Sequence, residues 1–269
     1  MSAKKQQRQN YIMQVANELG YVSKEKVAEE LETSVETIRR DINELCEKKL
    51  LQRALGGAQP YKTTVRHDAL YINRVHQNKN ERLSIGEAAS GLIRDGMIIA
   101  FDSGTSIQSL ASSVANVHNV TLVTDSLPTA IILYNKIETG QISGRVIVIG
   151  GEMNHDRCTA GAMADDEIDR YHFDLAFISC TSLSLQCVSS FNLDLCHFSR
   201  HIMKNSIENV LIAESEKVDT NSLYGFANLS DFRRIIVDDR HPIPRPILDY
   251  LAKCGTELTV AKLGKYEKT

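Results

Sequence analysis

The stretch that most constrains this chain runs from Thr33 to Leu45: Thr-Ser-Val-Glu-Thr-Ile-Arg-Arg-Asp-Ile-Asn-Glu-Leu. Val35, Ile38, Ile42 and Leu45 recur at three- and four-residue spacing, which predicts one apolar helix face. At about 100° per residue, Glu36, Thr37, Arg40 and Asn43 point the other way. Thr33 or Ser34 supplies an N-cap, and Thr33 with Glu36 fits a capping box. By itself the pattern describes an amphipathic helix with a solvated outer face. Its neighbours narrow that meaning.

Gln6 to Leu19 predicts a helix with Ile12, Val15, Ala16 and Leu19 inward and Gly20 as its stop. Ser23 caps a short second helix, Lys24 to Leu31, with Val27, Ala28 and Leu31 inward. A connection of roughly three residues then enters the Thr33 helix, the spacing of a helix-turn-helix. Leu50 to Ala54 reads as a wing strand and Gly56-Gly57 as its turn. A major groove admits one helix. The candidate DNA contacts are therefore Ser34, Glu36, Thr37, Arg39, Arg40 and Asn43, with Arg53 from the wing.

Bulk charge does not advertise a nucleic-acid binder, because the net formal charge is −3. Residues 1–60 hold ten Lys/Arg against nine Asp/Glu. The expectation of a double-stranded DNA operator thus rests on where Arg8, Arg39, Arg40 and Arg53 stand. Weak electrostatics per subunit also predicts a homo-oligomer, dimer or tetramer. No apolar run reaches the roughly 18 residues of a membrane span. The N-terminus reads as no signal peptide, so the expected location is cytoplasmic. The six cysteines are expected as reduced thiols. Cys187, Cys196, His197 and His201 crowd together without the spacing of a zinc site, so no metal and no cofactor is expected.

The polar stretch Gln59 to Asn80 reads as a linker, giving a reader head at 1–58, a linker at 59–80 and a second domain at 81–269. From Glu81 onward, apolar runs alternate with helical segments. The strand candidates are Met97–Phe101, Val120–Val123, Arg145–Ile149, Asp174–Ser179, Asn209–Ala213 and Arg234–Val237. Leu83 to Ile93, Ile107 to Ala115, Leu127 to Lys136, Ala162 to His172 and Leu195 to Ser206 read as helices. That alternation predicts an α/β fold with a mostly parallel sheet covered on both faces. The strands run into Asp102-Ser103-Gly104-Thr105-Ser106, Thr124-Asp125-Ser126 and Gly150-Gly151. Ligands of open parallel sheets bind beyond the carboxyl ends of strands. These loops are the candidate site for a small anionic or polyol effector, because helix starts offer N–H groups and a positive dipole end.

The run Ser34-x-x-Thr37-Ile38-Arg39-Arg40-Asp41-Ile42, with Arg8 before it and Arg53, Gly56, Gly57 and Ala58 after it, resembles the DeoR family of bacterial transcriptional repressors. The second half is similar to the same family's sensor domain in Asp102-Ser103-Gly104-Thr105, Thr124-Asp125-Ser126, Gly150-Gly151, Gly161, Asp174-x-Ala176-Phe177-Ile178 and Ser215-x-Lys217. The resemblance implies a winged helix-turn-helix head and a sensor resembling ribose-5-phosphate isomerase in fold. It further implies repression of a carbohydrate-catabolism operon under a sugar phosphate or related metabolite, with Arg200 or Lys217 as the effector's nearest cation. Three departures stand out. Asp125 replaces the usual Asn, Ser199 replaces a lysine before Arg200, and Thr181 to Gln186 lacks the family's glycines. An added carboxylate and a lost lysine both make a phosphate less welcome.

Two other classes compete with the regulator. A sugar-phosphate isomerase with a DNA-binding head needs a poised acid, with Asp174, Asp125 and Glu214 available, and a cation for the enediolate. No lysine or glycine-rich oxyanion loop stands where the resemblance would place one, so no enzyme is expected. A sensor that has lost its ligand and only oligomerises is the other alternative.

Overall fold

The computed structural model describes residues 3–19, 21–48, 50–54, 56–61, 74 and 78–264. Gly20 and most of the 59–80 stretch, with Lys62, Arg66 and His67, lie outside them. The chain divides into two units, Met1–Thr64 and Val65–Thr269.

The first unit runs α1 (Ala3–Leu19), β1 (Val22–Ser23), α2 (Lys24–Glu30), α3 (Val35–Glu47), β2 (Leu51–Ala54) and β3 (Gly57–Pro60). Ile12 and Ala16 of α1, Val27 and Ala28 of α2, and Ile38, Ile42 and Leu45 of α3 close one core over Leu51 and Ala58. The two helices of the reader are capped alike: Ser23 accepts from the Lys26 N–H and Ser34 from the Thr37 N–H. Ser34, not Thr33, is thus the cap of α3, and the Glu36 carboxylate turns to Arg39 and Arg40 instead of closing a box. Val35, placed inward by spacing, is 40 % exposed, because the first residue of α3 lies beyond the packed turn.

The wing is a three-stranded sheet in the order β1-β3-β2, with Ala58 opposite both Val22 and Arg53. Its second strand reaches Pro60, past the boundary at residue 58. A Cβ on Gly57 would stand 1.9 Å from the Val22 carbonyl oxygen, so only glycine lets β1 and β3 meet there. Polar ties hold α1 to α3. Lys5 Nζ lies 2.5 Å from Glu44, the Gln9 amide donates to Glu44 at 3.1 Å, and Arg8 Nε lies 2.7 Å from the buried Asp41 carboxylate. Arg8, counted from sequence among the DNA-facing arginines, therefore compensates a buried charge inside the head.

The second unit contains α4 (Lys79–Ser90), β4 (Ile98–Phe101), α5 (Thr105–Ser113), β5 (Val120–Thr124), α6 (Leu127–Glu138) and β6 (Gly144–Val148). A short hairpin follows, β7 (Glu152–Met153) and β8 (Thr159–Ala160), then α7 (Ala162–Ile168) and β9 (Phe173–Ser179). The chain continues through β10 (Ser182–Leu183), β11 (Val188–Ser190), α8 (Leu193–Lys204), β12 (Ser206–Ile212), β13 (Tyr224–Ala227), β14 (Arg234–Asp238), α9 (Arg245–Cys254) and β15 (Glu257–Ala261). The main sheet is parallel, in the order β6-β5-β4-β9-β12-β14-β15.

Pleating sends alternate residues of each strand to opposite faces. Ile99, Phe101, Leu122, Leu175, Phe177 and Ile212 pack with Ile85 of α4, Leu110 of α5 and Leu133 of α6. Ala100, Val123, Ala176, Ile178, Leu211 and Val237 pack with Ile168 of α7, Phe198 of α8 and Leu251 of α9. Phe101 faces Phe177 in register, ring centroids 5.7 Å apart, each fully buried. Burying each ring stabilises the unit by about 1.5–3 kcal/mol. From β4 the chain winds outward through β5 to β6, then returns to lay β9 on the other side of β4. That reversal opens a crevice at the carboxyl ends of β4 and β9.

Candidate functional site

On the reader head, Glu36, Arg39, Arg40 and Arg53 are exposed, while Thr37 and Asn43 are half-buried. Arg39 grips Glu36 with two bonds of 2.7 and 2.8 Å, and Arg40 reaches the same carboxylate at 3.3 Å. The bonds from Arg39, and then Arg40, hold the Glu36 carboxyl down at about 2. Arg40 is the freer of the two arginines, with its side chain 74 % exposed. The Ser34 hydroxyl is committed to its cap and to the Thr37 hydroxyl, 2.8 Å away. The polar face of α3 therefore presents one carboxylate and two fork-shaped guanidiniums that it keeps in place. Such forks match guanine edges and phosphates.

In the second unit the crevice gathers the predicted loops. Asp102 follows β4 and is 2 % exposed. Its Oδ2 accepts from the Ser179 N–H at the end of β9 (2.9 Å) and from the Ser199 hydroxyl on α8 (3.0 Å). Ser179 Oγ donates back to the Ser103 carbonyl at 2.7 Å. Gly104 has φ +108°, and a Cβ there would come within 3.1 Å of Ser179 Oγ. Thr124 and Ser126 shape the next loop: Thr124 Oγ1 accepts from the Ser126 N–H, and Ser126 caps α6. Asp125 between them is fully buried. The β7–β8 hairpin, which follows Gly150-Gly151, is stitched over it. Thr159 donates N–H to the Asp125 carbonyl, and Leu127 donates N–H to the Arg157 carbonyl.

Burial pushes the Asp102 carboxyl up to about 7, against the pull of the Ser179 and Ser103 N–H groups and the Ser199 hydroxyl. Burial, and secondly the neighbouring Asp102, raises Asp125 well above the usual carboxylate range. Burial also lifts the thiols of Cys158 and Cys196, the latter to about 12. Three polar atoms here, Asp102 Oδ1 and both Asp125 carboxylate oxygens, are buried without a hydrogen-bond partner.

The two cations predicted to serve this site are both engaged by other side chains. Lys217 lies 2.5 Å from Glu214, which also takes the Ser106 hydroxyl at 3.1 Å and has Arg82 at 3.6 Å. Burial opposes the charge on Glu214, but Lys217 and Arg82 outweigh it and bring that carboxyl down to about 2. Arg200 is exposed and extends to the Tyr224 hydroxyl, lining an open cleft of about 650 Å³ with His197, His201 and Lys204. The neighbouring position, Ser199, turns inward to Asp102 instead. Thr105 opens α5 beside the crevice. Asp174, an acid considered for isomerase chemistry, sits at the opposite end of the sheet and accepts from the Ile98 N–H. Ser179, Ser182, Glu214 and Arg82 were not singled out as effector contacts; only topology brings them to this end of the sheet. His201 pairs with Asp169 at 2.8 Å. Among the described residues no cluster of three or more His, Cys, Asp or Glu could hold a metal ion.

A winged helix-turn-helix carried in one chain with a parallel α/β unit, whose buried polar cluster sits at the sheet's switch point, defines a DNA-binding transcription regulator with a sensor domain. Residues 8–64 match the DeoR-like helix-turn-helix domain and residues 77–239 the DeoR C terminal sensor domain. The chain belongs to the DeoR family. It is 30 % identical over 235 residues to the lactose phosphotransferase system repressor of Staphylococcus aureus, covering 87 % of this chain and 92 % of that protein. It is 27 % identical over 242 residues to the glycerol-3-phosphate regulon repressor of Escherichia coli, covering 89 % and 93 %. The ribose 5-phosphate isomerase A of Methanocaldococcus jannaschii superimposes with a TM-score of 0.37 at 14 % identity, over 53 % of this chain and 55 % of that one. That likeness is too loose to bear on activity.

Proposed function

We propose that this protein is a cytoplasmic repressor of a carbohydrate-catabolism operon, released from its operator by a small carbohydrate-derived metabolite bound at the Asp102–Asp125 crevice. The observation that carries the reading is the α3 face: a capped helix, buried on one side and presenting Arg39 and Arg40 outward on the other. Arg40 reads a base edge, Arg39 and Arg53 contact phosphates, and Thr37 and Asn43 adjust the fit. The two relatives, both repressors of carbon-source systems by name, support the direction of regulation and the carbon-source theme. A head of near-neutral charge binds weakly alone, so the working form is a homodimer or tetramer whose heads meet half-sites about one helical turn, or a multiple, apart.

The protein performs no isomerisation. Neither buried acid of the crevice has a basic side chain beside it among the described residues, and an enediolate needs one. The test selects duplexes from a random pool with the full chain and measures their binding by fluorescence anisotropy. Recovery of a two-fold-symmetric sequence, bound by a species that sediments as at least a dimer, is the expected result. A monomer at micromolar concentration with no sequence preference refutes the reading.

A further inference from the structure

The main sheet ends on two edge strands, β6 and β15, and the two edges are finished differently. Where β5 and β6 pair, the Val120 N–H donates to the Ser143 carbonyl and the Ile149 N–H donates to the Thr124 carbonyl. A parallel ladder uses alternate residues of each strand. The main-chain groups of Arg145 and Ile147 therefore face β5, and those of Gly144, Val146 and Val148 point away from the sheet. Among the described residues nothing pairs with them. An open edge of this kind is a template for another strand.

Folds that keep an edge to themselves blunt it with charge, proline or a bulge. β15 is blunted: Glu257 opens it and holds both Arg233, at 2.8 Å, and Arg234. The helix packed beside it, α9, turns Arg245, Asp249 and Lys253 to solvent, with Arg245 2.8 Å from Asp249. Val260 is exposed on β15, but no large apolar residue of α9 is exposed with it. β6 carries none of these devices. Its one charged residue, Arg145, leans back over the sheet and donates to the Thr121 hydroxyl at 3.2 Å. Its register with β5 is unbroken from Gly144 to Val148. The helix beside it is α6, whose Leu133 packs in the same cluster as Val146. That helix exposes Ile131 and Tyr134, one turn apart, at 60 % and 53 %. Val148 stands on the same side of the strand as Val146 and is 41 % exposed. Open main-chain groups and exposed apolar side chains thus belong to one margin of the sensor unit.

We infer that this margin is where a second copy of the chain docks: two β6 strands pair antiparallel about a two-fold axis, and one sheet runs unbroken through both sensor units. The inference rests on the homo-oligomer reading above. A two-fold interface must be complementary to itself, and an antiparallel strand pair is. The open groups set the register: Val146 meets its own counterpart on the axis, and Gly144 meets the counterpart of Val148. The α6 helices of the two copies then flank the joint from the same side of the sheet and withdraw Ile131, Tyr134 and Val148 from water. A lone extended peptide would satisfy the strand edge but leave α6 bare, so the second copy is the better occupant. The near-neutral head, which needs a second head to hold an operator, supplies the functional reason for that copy.

The test is sedimentation of the full chain at micromolar concentration, wild type beside a variant carrying both Ile131→Lys and Val148→Lys. Both positions are exposed, so each subunit tolerates the lysines, as circular dichroism checks. The wild type sediments as a dimer or tetramer and the double variant at half that mass. Val260→Lys, on the other edge, sediments as the wild type does. Mild oxidation of Val146→Cys links two chains, since residues paired in this way stand about 5.5 Å apart, within reach of a disulfide. The wild type, with its exposed Cys254, is the control for that cross-link. Val148→Cys gives none, because its counterpart lies roughly 13 Å further along the strand. A double variant that keeps the wild-type mass overturns the inference and leaves the homo-oligomer standing, as does a cross-link at Val148→Cys without one at Val146→Cys. A wild type that stays monomeric overturns both.

Discussion

Replacing Asp102 by asparagine changes the pH dependence of stability in a way the structure fixes. The folded carboxyl titrates at about 7, against 3.8 in an exposed chain. Between those values the folded state keeps a proton that the unfolded state has released, so stability falls as pH rises through the window. Each unit is worth about 1.4 kcal/mol, and roughly three units give a loss of about 4 kcal/mol that is complete above pH ~7. Below pH ~4 both states are protonated and no loss remains. In Asp102→Asn the amide oxygen keeps the Ser179 and Ser199 bonds, and the amide nitrogen takes the place of the buried, unpartnered Oδ1. The variant loses the titration, and Asp125 loses its neighbouring charge as well. It should be the more stable protein at pH ~8, by about 2–4 kcal/mol, or ~5–15 °C in Tm for a unit of this size. The gap should close as the pH approaches ~4. Chemical denaturation of both proteins across that range reads it directly. Parallel stability curves, or a variant less stable at pH ~8, would refute the reasoning.

Arg40→Ala should weaken operator binding by about 1–3 kcal/mol, as anisotropy against the selected duplex measures, with the circular dichroism of the head unchanged. Ser34→Ala removes the cap of α3 and should cost the head about 1 kcal/mol, seen as a lower denaturation midpoint. Gly104→Val places a branched side chain at φ +108° against Ser179, so operator binding should persist while every effector response disappears.

Much of the fold was legible because it was written in contrast. Ile98–Phe101 and Phe173–Ser179 are apolar on both faces and bounded by polar turns, so their parallel, doubly covered setting follows from the residues alone. Glu257–Ala261 is an edge strand that is half-buried over its first three residues, and Ser182–Leu183 is two residues long. Neither carries a signal above its surroundings. On α3, periodicity placed Ile38, Ile42 and Leu45 inward but misplaced Val35, since period alone does not say where the packed turn begins. The loops after β4, β5 and β6 were readable as a candidate site because helix starts after strands are a local pattern. The pairing of Ser199 with Asp102 spans 97 residues, and that of Glu214 with Ser106 spans 108. Sequence spacing holds no record of such meetings, nor of those of Lys217 with Glu214 and Arg200 with Tyr224.

The ties from Lys5, Arg8 and Gln9 to Asp41 and Glu44 make the head a single stiff piece. Those ties oppose switching the head off by tilting its reading helix against α1. In the proposed homo-oligomer, an effector's message would be delivered as a change of address: how far apart, and at what twist, two intact heads are set down. Operators for such a protein are therefore rulers as much as words. Inserting about half a helical turn between two half-sites should mimic the effector, with the bases of both half-sites left unchanged.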